Sequence, residues 1–173
     1  DASLGLNFAG VNYYDGQGFM VKSSLGVSSA LELGGAAVCI QAGTTTELNL
    51  ADWGKQNGID YQSVVSDTNG QTLTNYESGR CDVLTTDASG LYSLRAASND
   101  PSEHVVLPEI ISKEPLGPVV RQGDDQWFNI VRWSLNAMIT AEELGVTSAT
   151  VDDVTNNPER ERLMGRSGNT HEY

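Results

Sequence analysis

Ala36-Ala37-Val38-Cys39-Ile40-Gln41 reads as a continuous apolar run, and Ala42-Gly43-Thr44-Thr45-Thr46-Glu47 follows it directly. A short run without alternation is the pattern of a strand buried on both faces. Leu48, Ala51 and Trp53 then recur at helical spacing as far as Asn57-Gly58. The stretch therefore predicts a strand that turns straight into a helix.

The same alternation continues outward. Upstream, Phe19–Lys22 is a short extended segment after the turn residues Asp15-Gly16-Gln17-Gly18, and Ser28–Leu33 reads as one short helix closed by Gly34-Gly35. Downstream come a strand at Tyr61–Val65, a turn at Asn69-Gly70, a helix at Leu73–Ser78 ended by Gly79, a strand at Cys81–Thr86, a helix at Ala88–Ala97 and a strand at His104–Leu107. Strands and helices alternating over short connections predict parallel strands joined by right-handed crossovers, an α/β layer fold. After Pro115-Leu116-Gly117-Pro118 the character changes. Val119-Val120 is one more strand. Asp124-Asp125 caps a helix whose apolar stripe is Trp127, Ile130, Val131, Leu135, Met138 and Ile139, and Gly145 ends it. Thr150-Val151-Asp152-Asp153 resembles a capping box for a further helix, and Gly165–Asn169 is expected to fray.

With 173 residues, 39% of them hydrophobic, the chain has room for one ordinary core, or one full lobe plus part of another. Its formal net charge of −13 argues against nucleic acid and anionic lipid as partners. No apolar stretch approaches the roughly 18 residues that span a bilayer. The chain begins at Asp1 without a signal peptide and is read as a processed or shortened product. Cys39 and Cys81 lack the spacing of a zinc or redox motif, which leaves two small buried apolar residues or a disulfide. His104 and His171 lack the neighbours that a catalytic or metal-binding histidine needs. No catalytic set, metal site or cofactor motif emerges.

Two places carry binding chemistry. The turn at Gly43-Thr44-Thr45 opens a helix, and a helix N-terminus offers free N–H groups and the positive end of the dipole. That suits a carboxylate or phosphate; plain N-capping by Thr44 or Thr45 is the ordinary alternative. Asp87 ends a later strand of the same sheet, on the carboxyl edge where open α/β sheets bind ligands. Its ordinary alternative is to cap the helix that starts at Ala88. An anion site beside a carboxylate is what a zwitterionic amino acid requires.

The motifs Asn12-Tyr13-Tyr14-Asp15-Gly16-Gln17-Gly18-Phe19-Met20-Val21, Gln41–Asp52, Gly79–Val83 with Thr85-Thr86-Asp87, Leu107–Pro118 and Arg121–Asp124 occur in this order. Together they resemble the general L-amino-acid-binding proteins of polar amino-acid ABC importers, within the type 2 periplasmic solute-binding proteins. The resemblance implies two α/β lobes joined by two crossing strands and closing on ligand as a clamp. It implies one complete parallel-sheet lobe here, with hinge strands and part of the other lobe. Residues 1–22 would be the end of the first lobe and the first hinge strand, 23–111 the second lobe, and 112–173 the second hinge strand and helices returning to the first lobe. Most of the first lobe would lie upstream of Asp1, and a further segment beyond Tyr173.

By the same resemblance, Gly43, Thr44 and Thr45 hold the ligand's α-carboxylate and Asp87 its α-ammonium. Gln41 gives a backbone contact and Tyr14 stands near the ligand. The implied protein is no enzyme and needs no cofactor. It serves the periplasm of a Gram-negative bacterium and delivers L-amino acids to an inner-membrane permease. Cyclohexadienyl (arogenate/prephenate) dehydratases and receptor sensor domains share the fold and are the rival readings. In a lobe of this type the strands of Cys39 and Cys81 run side by side in an oxidising compartment, so a disulfide is expected. The apolar stripe from Trp127 to Ile139 needs cover, for which a homodimer through the tail helices is one source.

Overall fold

The computed structural model describes residues 2–151. The capping-box reading at Thr150–Asp153 extends past them, and the fraying expected at Gly165–Asn169 lies outside them. The chain divides into two compact units. One is Tyr14–Pro115; the other takes in the described residues before Tyr14 and after Pro115.

The first of these units is built on five strands: β3 (Gln17–Lys22), β4 (Ala37–Gln41), β5 (Gln62–Ser66), β6 (Val83–Asp87) and β7 (His104–Val106). Their order in the sheet is β5-β4-β6-β3-β7. β4 pairs in parallel with β5 and with β6, as the alternation requires. β3, the extended segment upstream of the alternating stretch, lies antiparallel between β6 and β7 and makes the sheet a mixed one. β3 precedes the alternating stretch and has no crossover helix of its own, so nothing local fixed its direction. Its pleat nonetheless shows why it sits inside: Phe19 and Val21 face one side, Met20 the other, and all three are buried.

Helices cover both faces. α1 (Thr45–Asn57) brings Leu50 and Trp53 onto Phe19, Val21, Val38, Ile40 and Val83. α2 (Asn69–Glu77) and α3 (Ala88–Ala97) bring Tyr76 and Leu91 onto Met20, Cys39 and Leu84 on the opposite face. The segment Ser28–Leu33, expected as a short helix, is a single 3-10 turn at Ala30–Glu32 capped by Ser29. Asn69-Gly70, expected as a turn, is the first turn of α2. Thr68 caps it by accepting from the Gln71 N–H at 3.3 Å, while the Gln71 side chain accepts from the Asp67 N–H at 3.1 Å. That is close to a capping box, which favours helix over turn. His104 is a core residue: its Nδ1 meets the hydroxyl of the fully buried Tyr76 at 3.0 Å.

Cys39, on β4, and Cys81, two residues before β6, form a disulfide with Cα atoms 5.7 Å apart. Gly54 is a second fixed point. A Cβ there would stand 2.8 Å from the Tyr61 ring and 3.1 Å from the Ile59 carbonyl. Gly54→Ala is therefore expected to destabilise by about 1 kcal/mol, the overpacking outweighing the gain in helix propensity. A urea melt checks this; a more stable variant would mean that Tyr61 moves aside freely.

In the other unit, β1 (Leu6–Phe8) pairs antiparallel with β9 (Val119–Arg121). α4 (Asp125–Glu143) follows, capped by Asp124, whose carboxylate accepts from the Trp127 N–H at 2.8 Å. Leu135 is buried within this unit, but Trp127, Ile130, Trp133, Met138 and Ile139 are exposed. β2 (Tyr13–Asp15) and β8 (Glu114–Leu116) form a two-stranded sheet, and the chain passes from one unit to the other within these strands.

Candidate ligand-binding site

At the carboxyl edge of the five-stranded sheet lies a cavity of about 230 Å³ lined by Gln41, Thr44, Thr45, Thr46, Asn69, Thr85, Thr86, Asp87 and Glu114. Three strands end there. β4 supplies Gln41 and runs into α1, β5 leads to Asn69 at the start of α2, and β6 supplies Thr85, Thr86 and Asp87.

The turn into α1 is shaped by Gly43, whose φ of +67° lies in the left-handed region that glycine adopts without strain. Its N–H is taken by the Glu47 carboxylate at 3.0 Å. Thr44 occupies the N-cap position but makes no side-chain cap bond. Its hydroxyl instead donates to the Gln41 carbonyl at 2.8 Å. The N–H groups of Thr44, Thr45 and Thr46 take no acceptor from the described residues. They point from the first turn of a 13-residue helix, where the dipole favours negative charge. The ordinary reading of the threonines as side-chain caps does not describe this turn.

Asp87 is equally uncommitted among the described residues. It stands at the N-cap of α3, yet its carboxylate makes no cap bond. Asp15, from β2, caps α3 in its place. Its carboxylate accepts from the Ser89 N–H at 3.3 Å and from the Ser89 hydroxyl, and also from the Gly16 N–H at 2.8 Å. The Ala88 N–H is taken by the Gly16 carbonyl at 2.8 Å. Burial pushes the Asp15 carboxyl up, but these hydrogen bonds outweigh it and hold the group below its ordinary value. Asp15→Ala is expected to destabilise by about 1 kcal/mol through the lost cap, as read from the midpoint of chemical unfolding. An unchanged midpoint would show that water replaces the cap.

Asp87 titrates in the opposite direction. Burial first, then the negative charges of Glu114 and Asp15, raise its carboxyl above the ordinary 3.8. A carboxylate with no hydrogen-bonded cation among the described residues, facing two others, is electrostatically prepared for one.

Of the residues singled out from sequence, Gln41, Thr44, Thr45 and Asp87 line the cavity together. Gly43 shapes the turn without lining it. Tyr14 is 80% exposed and is not among the lining residues. Thr46, Asn69, Thr85, Thr86 and Glu114 were not read as site residues. Asn69 follows β5 on the same edge, so the reasoning that found Asp87 extends to it. Glu114 arrives from a distant part of the chain with no local signal.

No known protein-family profile matches the chain. Individual proteins do. The chain is 59% identical over 172 residues to the general L-amino acid-binding periplasmic protein AapJ of Rhizobium johnstonii, covering 98% of this chain and 50% of that one. It is 56% identical over 173 residues to the glutamate/glutamine/aspartate/asparagine-binding protein BztA of Rhodobacter capsulatus, covering 97% and 51%. A solved ABC transporter periplasmic binding protein from Brucella ovis, with glutathione bound, superposes with a TM-score of 0.91 at 53% identity, covering 98% of this chain and 54% of that one. The chain thus spans about half the length of the relatives it matches.

Proposed function

We propose that this chain, homologous over nearly its whole length to one half of the amino-acid-binding periplasmic proteins of ABC transporters, captures L-amino acids for import. In this reading it serves a Gram-negative periplasm and hands its ligand to an inner-membrane permease. One observation carries the reading: in a single cavity, α1 N–H groups that take no acceptor among the described residues stand with the Asp87 carboxylate, which makes no cap bond. The α-carboxylate would sit on Thr44, Thr45 and Thr46, and the α-ammonium on Asp87. The lobe assignment belongs to the same proposal, with β2 and β8 as the strands that bend when the clamp closes.

Titration calorimetry with L-glutamate, L-glutamine, L-aspartate and L-asparagine tests it. Glutathione belongs in the panel, since its γ-glutamyl end carries the same pair of α groups. Saturable binding of at least one is expected, and binding of none contradicts the reading. The dehydratase alternative is not favoured, because the relatives are binding components. Turnover of arogenate or prephenate would reinstate it.

Affinity is also expected to depend on pH. Asp87 has a raised pKa when free, and a bound ammonium favours its ionised form. Affinity is then complete above the free-state pKa and falls as pH drops through it. A constant affinity from neutral pH down to about pH 4 would remove Asp87 from the site.

The exposed stripe of α4 supports pairing of two chains through that helix. Sedimentation would then give a dimer, and a monomer would remove this part. None of the described helices is long and apolar enough to cross a membrane.

A further inference from the structure

Gln17 is fully buried and is not among the residues lining the cavity, yet its bonds reach both halves of the site. It lies on β3, opposite Asp87 of β6 in the ladder. Its amide nitrogen donates to the Thr46 carbonyl in the first turn of α1 at 3.1 Å and to the Thr85 hydroxyl at 2.9 Å. Its backbone N–H donates to the Ser112 hydroxyl at 2.9 Å, which in turn donates to the Glu114 carboxylate at 2.9 Å. Thr46, Thr85, Asp87 and Glu114 all line the cavity.

The orientation of the amide is fixed by its neighbours. The Thr85 hydroxyl spends its hydrogen on the Gly18 carbonyl at 2.8 Å, so it accepts from Gln17. The Thr46 carbonyl can only accept. The amide nitrogen must face both, which leaves Gln17 Oε1 buried without a partner among the described residues. An orphaned buried acceptor is unfavourable, by about 1–3 kcal/mol. Buried polar groups kept for stability are normally satisfied. Methionine would fill the same space without the orphan. What the glutamine adds is the tie between the start of α1 and the edge of β6.

We propose that Gln17 is a positioning residue that holds the anion half of the site, on α1, in register with the cation half, at Asp87. This rests on the amino-acid reading above. A ligand with both α groups on one carbon needs the two halves at one fixed separation. Choice between L and D forms needs it most, because the side-chain direction is set only when both groups are seated.

Gln17→Met tests the idea. It removes the tie and the orphaned oxygen together, and the Thr85 hydroxyl keeps its bond to Gly18. The melting temperature is expected to hold or rise. Affinity for L-glutamate is expected to fall at least about tenfold, and the preference for L- over D-glutamate to move toward one. An L-glutamate affinity within about twofold of the unaltered protein, or an unchanged L/D preference, overturns the proposal. So does a lower melting temperature or failure to fold, which would make Gln17 structural. Absence of L-glutamate binding by the unaltered protein is a different result: it overturns the amino-acid reading for that ligand, and this proposal with it.

Discussion

Asp87→Asn is expected to weaken L-glutamate binding by roughly 30- to 150-fold, about 2–3 kcal/mol, while making the unliganded protein more stable at neutral pH. The two effects have one cause. The carboxylate of Asp87 makes no cap bond, because Asp15 has taken over α3. Burial and the charges of Glu114 and Asp15 raise its pKa. A carboxyl whose folded-state pKa is raised is disfavoured as an anion in the native state. Its ionisation therefore opposes folding above that pKa, and the native state gains stability as pH falls through it. Asparagine keeps the shape and removes the charge. Calorimetry gives the affinity and a urea melt gives the stability. A variant that loses both would show Asp87 to be a structural group; one that loses neither would place the ligand elsewhere.

The second large effect concerns the disulfide. Replacing Cys39 and Cys81 together with Ala is expected to destabilise by about 4 kcal/mol, the chain-entropy value for a separation of 42 residues. Lost packing of two buried side chains adds to this. The bridge ties β4 to the entry of β6, the two strands that supply Gln41 and Asp87. Reductant added to the unaltered protein is expected to lower the unfolding midpoint similarly. A midpoint that ignores both reductant and substitution would mean that the sheet alone holds these strands.

The sheet and the site were legible to different depths. The run Ala36–Gln41 followed by Gly43-Thr44-Thr45 announces a buried strand and a helix start, because burial on both faces and dipole chemistry are local properties. The same holds for β5, β6 and α3, the last found residue for residue. β3 was legible as extended but not as antiparallel, since strand direction is decided by partners far along the chain. Asn69-Gly70 carries turn propensity, but the capping groups Thr68 and Gln71 on either side make it a helix start. In the site, Asp87 could be found, but its freedom could not. That depends on Asp15, 72 positions away, reaching the end of α3 first. Gln17 was hidden for the same reason: its partners Thr46 and Thr85 are brought to it by the sheet.

The most direct test of the account is residue-resolved NMR of the protein titrated with L-glutamate. Saturable shifts concentrated on the backbone amides of Thr44, Thr45 and Thr46 and on Thr86 and Asp87 are the predicted result. Shifts that never saturate, or that saturate on residues outside this cavity, would contradict the assignment of an amino-acid site to the edge formed by α1 and β6.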